Sequence, residues 1–215
     1  MDCVCSVTSW VKLARNFYKG LCYAAGGTGM ENRLIRLTAP AGRDMLRSLN
    51  AGDRVALSGD ILVFRDQVHR ILCGYIDEGR DLPFSLENAI LYYCGPTPPR
   101  EGMAVGSAGP TTSSRMDTFT APLLDRGLAA TIGKGDRSPE MTELFVRHGA
   151  VYFVATGGAG ALLGRTVTRV EALAFPELGP EAARMFTVVD MPLIVGIDTR
   201  GNSAFVTPER RKTRI

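Results

Sequence analysis

From about residue 33 onward, short apolar runs alternate with segments whose apolar residues recur at helical spacing. That alternation restricts the fold more than any other feature, because short strands must pair in a sheet and amphipathic helices must cover it. Read in order, the sequence predicts a strand at Arg33–Leu37, a short helix at Arg43–Leu49 and a turn at Gly52-Asp53. A hairpin follows, Arg54–Leu57 and Ile61–Phe64, turning at Ser58-Gly59-Asp60. The run from Asp66, with Val68, Ile71, Leu72, Tyr75 and Ile76 on one stripe, predicts a helix stopped at Gly79. Further strands are expected at Ala89–Cys94, Met103–Ser107, Ala129–Ile132, Val151–Thr156, Val167–Ala172 and Leu193–Ile197. Ser138-Pro139-Glu140 opens a helix with a cap, a proline and an acid in sequence, and Asp198–Asn202 reads as a hairpin turn. The expected class is α/β, one domain with a mixed sheet flanked by helices.

Residues 1–29 differ from the rest. They hold three of the five cysteines (Cys3, Cys5, Cys22) and close on Ala24-Ala25-Gly26-Gly27-Thr28-Gly29 before Met30. The expectation is a poorly ordered extension over 1–29 ahead of a domain over 30–215. No apolar run approaches the roughly 20 residues of a membrane span. Lys12, Arg15 and Lys19 interrupt every apolar stretch a signal peptide would need. No Cys-x-x-Cys pair occurs, the three N-terminal cysteines match no standard metal spacing, and Cys73 and Cys94 are expected in the core. A cytoplasmic chain is expected. Its net charge of +3, with 21 arginines and 4 lysines spread along 215 residues, excludes the basic stripe of a nucleic-acid binder.

Chemistry concentrates in Gly109-Pro110-Thr111-Thr112-Ser113-Ser114-Arg115-Met116-Asp117. Met116, Phe119, Thr120, Leu123 and Leu124 continue it at helical spacing, and Gly127 stops the run. The four hydroxyls therefore fall on the first turn of a helix, where N–H groups and the dipole favour an anion. Arg115 adds a fork suited to a carboxylate or phosphate. Arg65 and Lys134 also follow strands, and ligands of open α/β sheets gather at the carboxyl ends of strands. Three converging cations suit a dianionic small molecule. The competing reading pairs Arg65 with Asp66 and Arg115 with Asp117 on the surface. Lys134 resists it, being the only lysine between Lys19 and Lys212 and flanked by Gly133 and Gly135.

Two motifs fail on spacing. Gly157-Gly158-Ala159-Gly160 has Leu163 where a dinucleotide fingerprint needs its third glycine, so close helix–strand packing is the better reading. Gly133-Lys134-Gly135 lacks the first glycine and the Ser/Thr of a phosphate loop. His69, four residues after Arg65, can orient a site group or serve structurally. His148 ends a helix and is given no chemistry.

Gly52–Gly59 with Arg65–His69, then Tyr93-Cys94-Gly95-Pro96, Gly109–Asp117, Ile132–Gly135, and Val151–Gly160 with Asp190–Asp198 together resemble the β-subunit domain of class I fumarases and the related L-tartrate dehydratases. The resemblance spans roughly Asn32 to Phe205. It implies a swivelling β/β/α domain serving an iron–sulfur hydro-lyase, with the [4Fe–4S] cluster ligated by an α subunit, in an α2β2 heterotetramer. It further implies Thr111 as the catalytic hydroxyl, and Arg65, Arg115 and Lys134 as holders of the substrate carboxylates. Hydration of fumarate to L-malate is the first expectation and dehydration of tartrate or a similar hydroxy-diacid the second. A non-catalytic dicarboxylate-binding regulatory module is an alternative of another class.

Overall fold

The computed structural model describes residues 34–205. The expectations for residues 1–29 and for Arg33 fall outside the described residues. Seven strands form one sheet: β1 (Leu34–Ala39), β2 (Arg54–Val63), β3 (Ile90–Tyr92), β4 (Ala130–Gly133), β5 (Val151–Val154), β6 (Val167–Ala174) and β7 (Ala183–Ile197). Five helices accompany them: α1 (Arg43–Arg47), α2 (Asp66–Asp77), α3 (Asp117–Asp125), α4 (Pro139–His148) and α5 (Gly160–Arg165). The mixed α/β class is as the alternation predicts.

The strand order β1-β2-β3-β4-β5-β7-β6 carries an additional pairing of β2 with β7. Strands β2, β3, β4, β5 and β7 therefore close into a ring, with β1 and β6 attached outside it. The steps from β2 to β5 are parallel, and β7 runs antiparallel to both β5 and β2. Closure leaves the five ring strands without a free edge, and the remaining edges are those of β1 and β6.

Period-two alternation along each strand divides the apolar residues between two cores. Val55, Leu57, Ile61 and Val63 of β2, with Ile90, Ile132, Phe153, Val188 and Val195, share one cluster. Leu62, Leu91 and Tyr152 join a second with Val68 and Leu72 of α2, Leu123 and Leu124 of α3, and Met141 and Phe145 of α4. A residue of β3, β4 or β5 thus faces either its neighbours in the ring or the helices outside, and both kinds of position favour an apolar side chain. That is why these strands read as continuous apolar runs.

Three expectations need correction. The hairpin at Ser58-Gly59-Asp60 does not exist, because β2 runs straight through it. Its early residues pair with β1 and its last with β3 on one edge, while β7 pairs along the other. The turn residues mark an irregularity instead: the β2–β7 register shifts between Leu57 and Gly59. Gly59 adopts φ 107°, and a Cβ there would lie 2.2 Å from the Ala39 carbonyl oxygen. The second correction concerns Met103–Ser107, which is loop. Gly106 N–H donates to Thr97 O, Thr97 N–H to Ser107 O and Ser107 N–H to the Thr97 hydroxyl, so these groups close a loop rather than join a sheet. Third, Leu193–Ile197 is only the end of β7. Asp190 (φ 50°) and Pro192 look like breakers, yet the Asp190 N–H bonds the Ser58 hydroxyl and the strand continues through both.

Candidate active site

The carboxyl ends of the parallel strands β2, β3, β4 and β5 lead to one cavity of about 520 Å³, lined by Arg65, Ser107, Gly109, Pro110, Thr111, Thr112, Arg115, Lys134, Gly158, Gly160 and Ala161. The four residues singled out in the sequence, Arg65, Thr111, Arg115 and Lys134, all line it. Chain segments far apart in sequence meet there because parallel strands deliver their successors to one side of the sheet.

The hydroxyl segment is held by backbone pairing. Thr111 N–H donates to Tyr93 O at 2.7 Å and Ser113 N–H to Lys134 O at 2.9 Å, while Lys134 N–H donates to Thr111 O at 3.1 Å. This corrects the helix-terminus picture in part. The Thr111 and Ser113 N–H groups are spent on carbonyls, and a 3-10 turn, Ser113–Met116, which itself carries two of the hydroxyls, separates Thr111 and Thr112 from α3. Ser113 is buried and its hydroxyl meets the Tyr152 hydroxyl at 2.9 Å, so it faces the core rather than a ligand. Thr111 is 7% exposed and Thr112 and Ser114 are exposed.

The glycines around Lys134 have separate causes. A Cβ on Gly133 would stand 2.0 Å from the Ser113 hydroxyl oxygen, so only glycine lets the two segments approach. Gly135 takes φ 79°, in the left-handed region. The Lys134 ammonium forms no ion pair among the described residues. Each arginine does form one, though not the expected one. Arg65 reaches Glu181 at 2.8 Å and Arg115 reaches Asp66 at 2.8 Å. Asp117 pairs instead with Arg137 at 2.6 Å. The Arg65 guanidinium also lies against Gly95, where a Cβ would come within 2.8 Å of its Cζ.

His69 sits behind the cavity wall, fully buried against Phe64, Tyr93 and Phe119, and neither ring nitrogen has a hydrogen-bond partner. Burial pushes its pKa down to about 4, so the ring is neutral. It does not line the cavity. His148 ends α4 before the left-handed Gly149, as expected. Gly160 and Gly164 allow close packing, but against the Gly106–Gly109 loop rather than a strand: Cβ atoms would lie 2.3 Å from the Ser107 hydroxyl oxygen and 2.2 Å from Gly106 O.

The residue that sequence reasoning missed is Arg137. Its guanidinium is enclosed beneath the site among Tyr93, Phe145 and Tyr152, with Cζ 5.3–5.6 Å from each ring centre. Nothing in the run Gly135-Asp136-Arg137-Ser138 announces it, since its anion partner lies twenty positions upstream.

The profile of the family described as Fumarase C-terminus matches residues 11–208. The chain belongs to that family. It is 37% identical over 165 residues to fumarate hydratase 2 of Leishmania major, covering 76% of this chain and 29% of that protein. The aerobic class I fumarate hydratase of Salmonella typhimurium is 38% identical over 154 residues, covering 71% and 27%. A Methanocaldococcus jannaschii protein named as an L(+)-tartrate dehydratase beta subunit is 36% identical over 166 residues, covering 74% and 85%. The chain thus spans less than a third of the length of these fumarate hydratases and most of the length of the last relative. The family match begins inside the stretch read as an extension. No described helix is long and apolar enough to cross a membrane.

The cluster that the family resemblance brings in does not fit the described residues. No group of three or more His, Cys, Asp or Glu among them is arranged to hold a metal. Burial pushes the Cys94 thiol up to about 12 and raises that of half-buried Cys73, with help from Asp77, so both resist forming the thiolate a cluster needs.

Proposed function

We propose that this chain is the β component of an iron–sulfur hydro-lyase that interconverts fumarate and L-malate, completed by an α subunit that ligates the [4Fe–4S] cluster. In this reading Arg65, Arg115 and Lys134 bind the substrate carboxylates and Thr111 supplies the catalytic hydroxyl. The carrying observation is that these three cations and one threonine border a single cavity in a chain of the Fumarase C-terminus family.

Hydration of an unsaturated diacid gathers extra negative charge on one carboxylate as the neighbouring carbon exchanges its proton. Cations fixed in advance stabilise that charge, and do so best where water is excluded. Lys134 is suited to this, with its backbone fixed to Thr111 and Ser113 and its ammonium free of any competing carboxylate among the described residues. Arg65 and Arg115 are poised differently. Each holds an internal carboxylate, Glu181 or Asp66, that a substrate carboxylate can replace or share. The Thr111 backbone is bonded on both sides, which fixes where its hydroxyl stands.

A second reading, dehydration of L-tartrate or a related hydroxy-diacid, is supported by length, because this chain matches 85% of the tartrate dehydratase beta-subunit relative. Both readings assign the chain to a soluble heteromer in the cytoplasm, α2β2 in composition. The test is anaerobic reconstitution with the α partner, assayed against fumarate, L-malate and the tartrates. Fumarate-dependent malate formation by the pair, and none by this chain alone, is the expected result. Turnover by the isolated chain would overturn the division of labour, and turnover of tartrate alone would replace the first substrate with the second. Binding of diacids without turnover by any pairing would favour a regulatory module.

A further inference from the structure

One buried charge in the described residues has no part in the proposed chemistry, and its position is informative. The Arg137 side chain has no solvent exposure. Its Nε donates to Asp117 Oδ1 at 2.6 Å, Nη2 to the Thr120 hydroxyl at 3.0 Å, and Nη1 to the Tyr93 and Thr131 hydroxyls, both at 3.4 Å. The other Asp117 oxygen accepts the Ser138 N–H at 3.1 Å. Asp117 begins α3 two residues after Arg115, and Arg137 follows Lys134 by three.

We propose that Arg137 is a positioning residue that sets the separation of Lys134 and Arg115, and so the spacing of the carboxylates the cavity accepts. The inference rests on the diacid reading of that cavity. Two braces join the segments that carry the two cations. One is the backbone pairing of Thr111 and Ser113 with Lys134, reinforced by the Tyr152 hydroxyl, which donates to Gly135 O and meets Ser113. The other is the Asp117–Arg137–Thr120 fork, on the far side of the 3-10 turn that bears Arg115. With both ends of that turn anchored, the Arg115 backbone cannot slide relative to Lys134. Burying a guanidinium carries a desolvation penalty that well-packed apolar residues would not. Its use here is geometric: a planar fork reaches one carboxylate and three hydroxyls at once, one partner more than the three donors of an ammonium can serve.

The experiment uses the full chain, its lysines (four, or five in Arg137→Lys) reductively methylated with carbon-13, a modification that keeps their charge, and then assembled with the unlabelled α partner. The Lys134 resonance is identified by its loss in Lys134→Arg. Fumarate, L-malate and tartrate are titrated into the wild type, Arg137→Lys, Asp117→Asn and the double variant. Arg200→Ala, remote from the cavity, controls for lost stability. The wild-type Lys134 signal is expected to respond to a diacid. Arg137→Lys and Asp117→Asn should each weaken the apparent Kd about tenfold or more, with the double variant no worse than either alone, as for two ends of one contact. Arg200→Ala should lower Tm with an unchanged Kd. If Arg137→Lys does not fold, Asp117→Asn carries the comparison. A wild type unresponsive to all three diacids overturns the cavity reading and the inference with it. A responsive wild type, with the folded variants binding within twofold of it, overturns the positioning role and leaves the cavity reading standing.

Discussion

Two arginine-bearing cavities among the described residues differ sharply, and only one is built for a ligand. The second, of about 420 Å³, is lined by Arg47, Val146, Arg147, His148, Gly149, Thr199 and Arg200. There Arg200 is consumed by the fold, while Arg47 grips only the exposed Asp44 and Arg147 forms no ion pair among the described residues. Arg200 donates to Arg47 O, Leu49 O, the Asn50 side chain and Asp198, and Arg43 reaches His148 O from nearby. Backbone carbonyls cannot leave, so Arg200 and Arg43 hold loops together. In the first cavity the arginines hold exchangeable carboxylates and Lys134 holds none. The lesson is that cation density does not make an anion site; what the cations already grip decides it.

The sharpest way to break this contrast is kinetic. Lys134→Ala and Arg115→Ala are each expected to lower kcat/KM of the reconstituted pair by about 10²–10³-fold, the scale of removing one preorganised donor. Thermal unfolding should move little, because Lys134 has no ion-pair partner among the described residues and the Arg115 side chain of its pair is half exposed. Near-wild-type kinetics in both would dissolve the distinction between the cavities.

A pH series on stability comes next. His69, buried and held near pKa 4 against an ordinary 6.5, takes up its proton in the unfolded chain first. The stability it contributes is complete above about pH 6.5 and falls as pH drops towards 4, by about 3 kcal/mol over that window. Urea midpoints should follow that fall in the wild type and flatten in His69→Leu. An equally steep fall in the variant would assign the effect to other groups. Asp66 and Arg137 are the charges that influence His69, in opposite directions, so the same series run in Asp66→Asn sharpens the assignment.

Removing the Arg200 fork is expected to cost about 1–3 kcal/mol in chemical denaturation while leaving diacid affinity unchanged. Lost affinity would make the second cavity a ligand site after all. The smallest effect belongs to Arg147→Ala. This side chain is exposed and has no ion pair among the described residues, so stability should stay within about 0.5 kcal/mol and activity unchanged.

Much of this was legible in the sequence, for identifiable reasons. The α2 stripe, the Ser138-Pro139-Glu140 start and the Gly149 stop of α4 are local patterns, written within one or two turns of chain. Arg65 and Lys134 stood out because each follows an apolar run, and strand ends are where parallel sheets assemble sites; Thr111 and Arg115 stood out in the hydroxyl run ahead of a helix. What escaped is non-local. Gly59 is a turn residue by type, and only the pairing of β1 and β7 on opposite edges of β2 makes it a bulge. The 15-residue β7 hid behind Asp190 and Pro192 because its continuity depends on a partner strand. Arg65 and Arg115 sat beside acids in sequence, yet Arg65 found Glu181 and Arg115 the Asp66 that adjoins Arg65.

The sequence by itself determined the α/β alternation, the family and the identity of the cations gathered at one cavity, since these rest on periodicity and short ordered motifs. Tertiary structure alone decided the closed five-stranded ring, the exchange of ion-pair partners and the burial of Arg137 beneath the site. Those outcomes depend on which distant segments share an edge or a pocket, and chain entropy leaves that open until the two cores are packed.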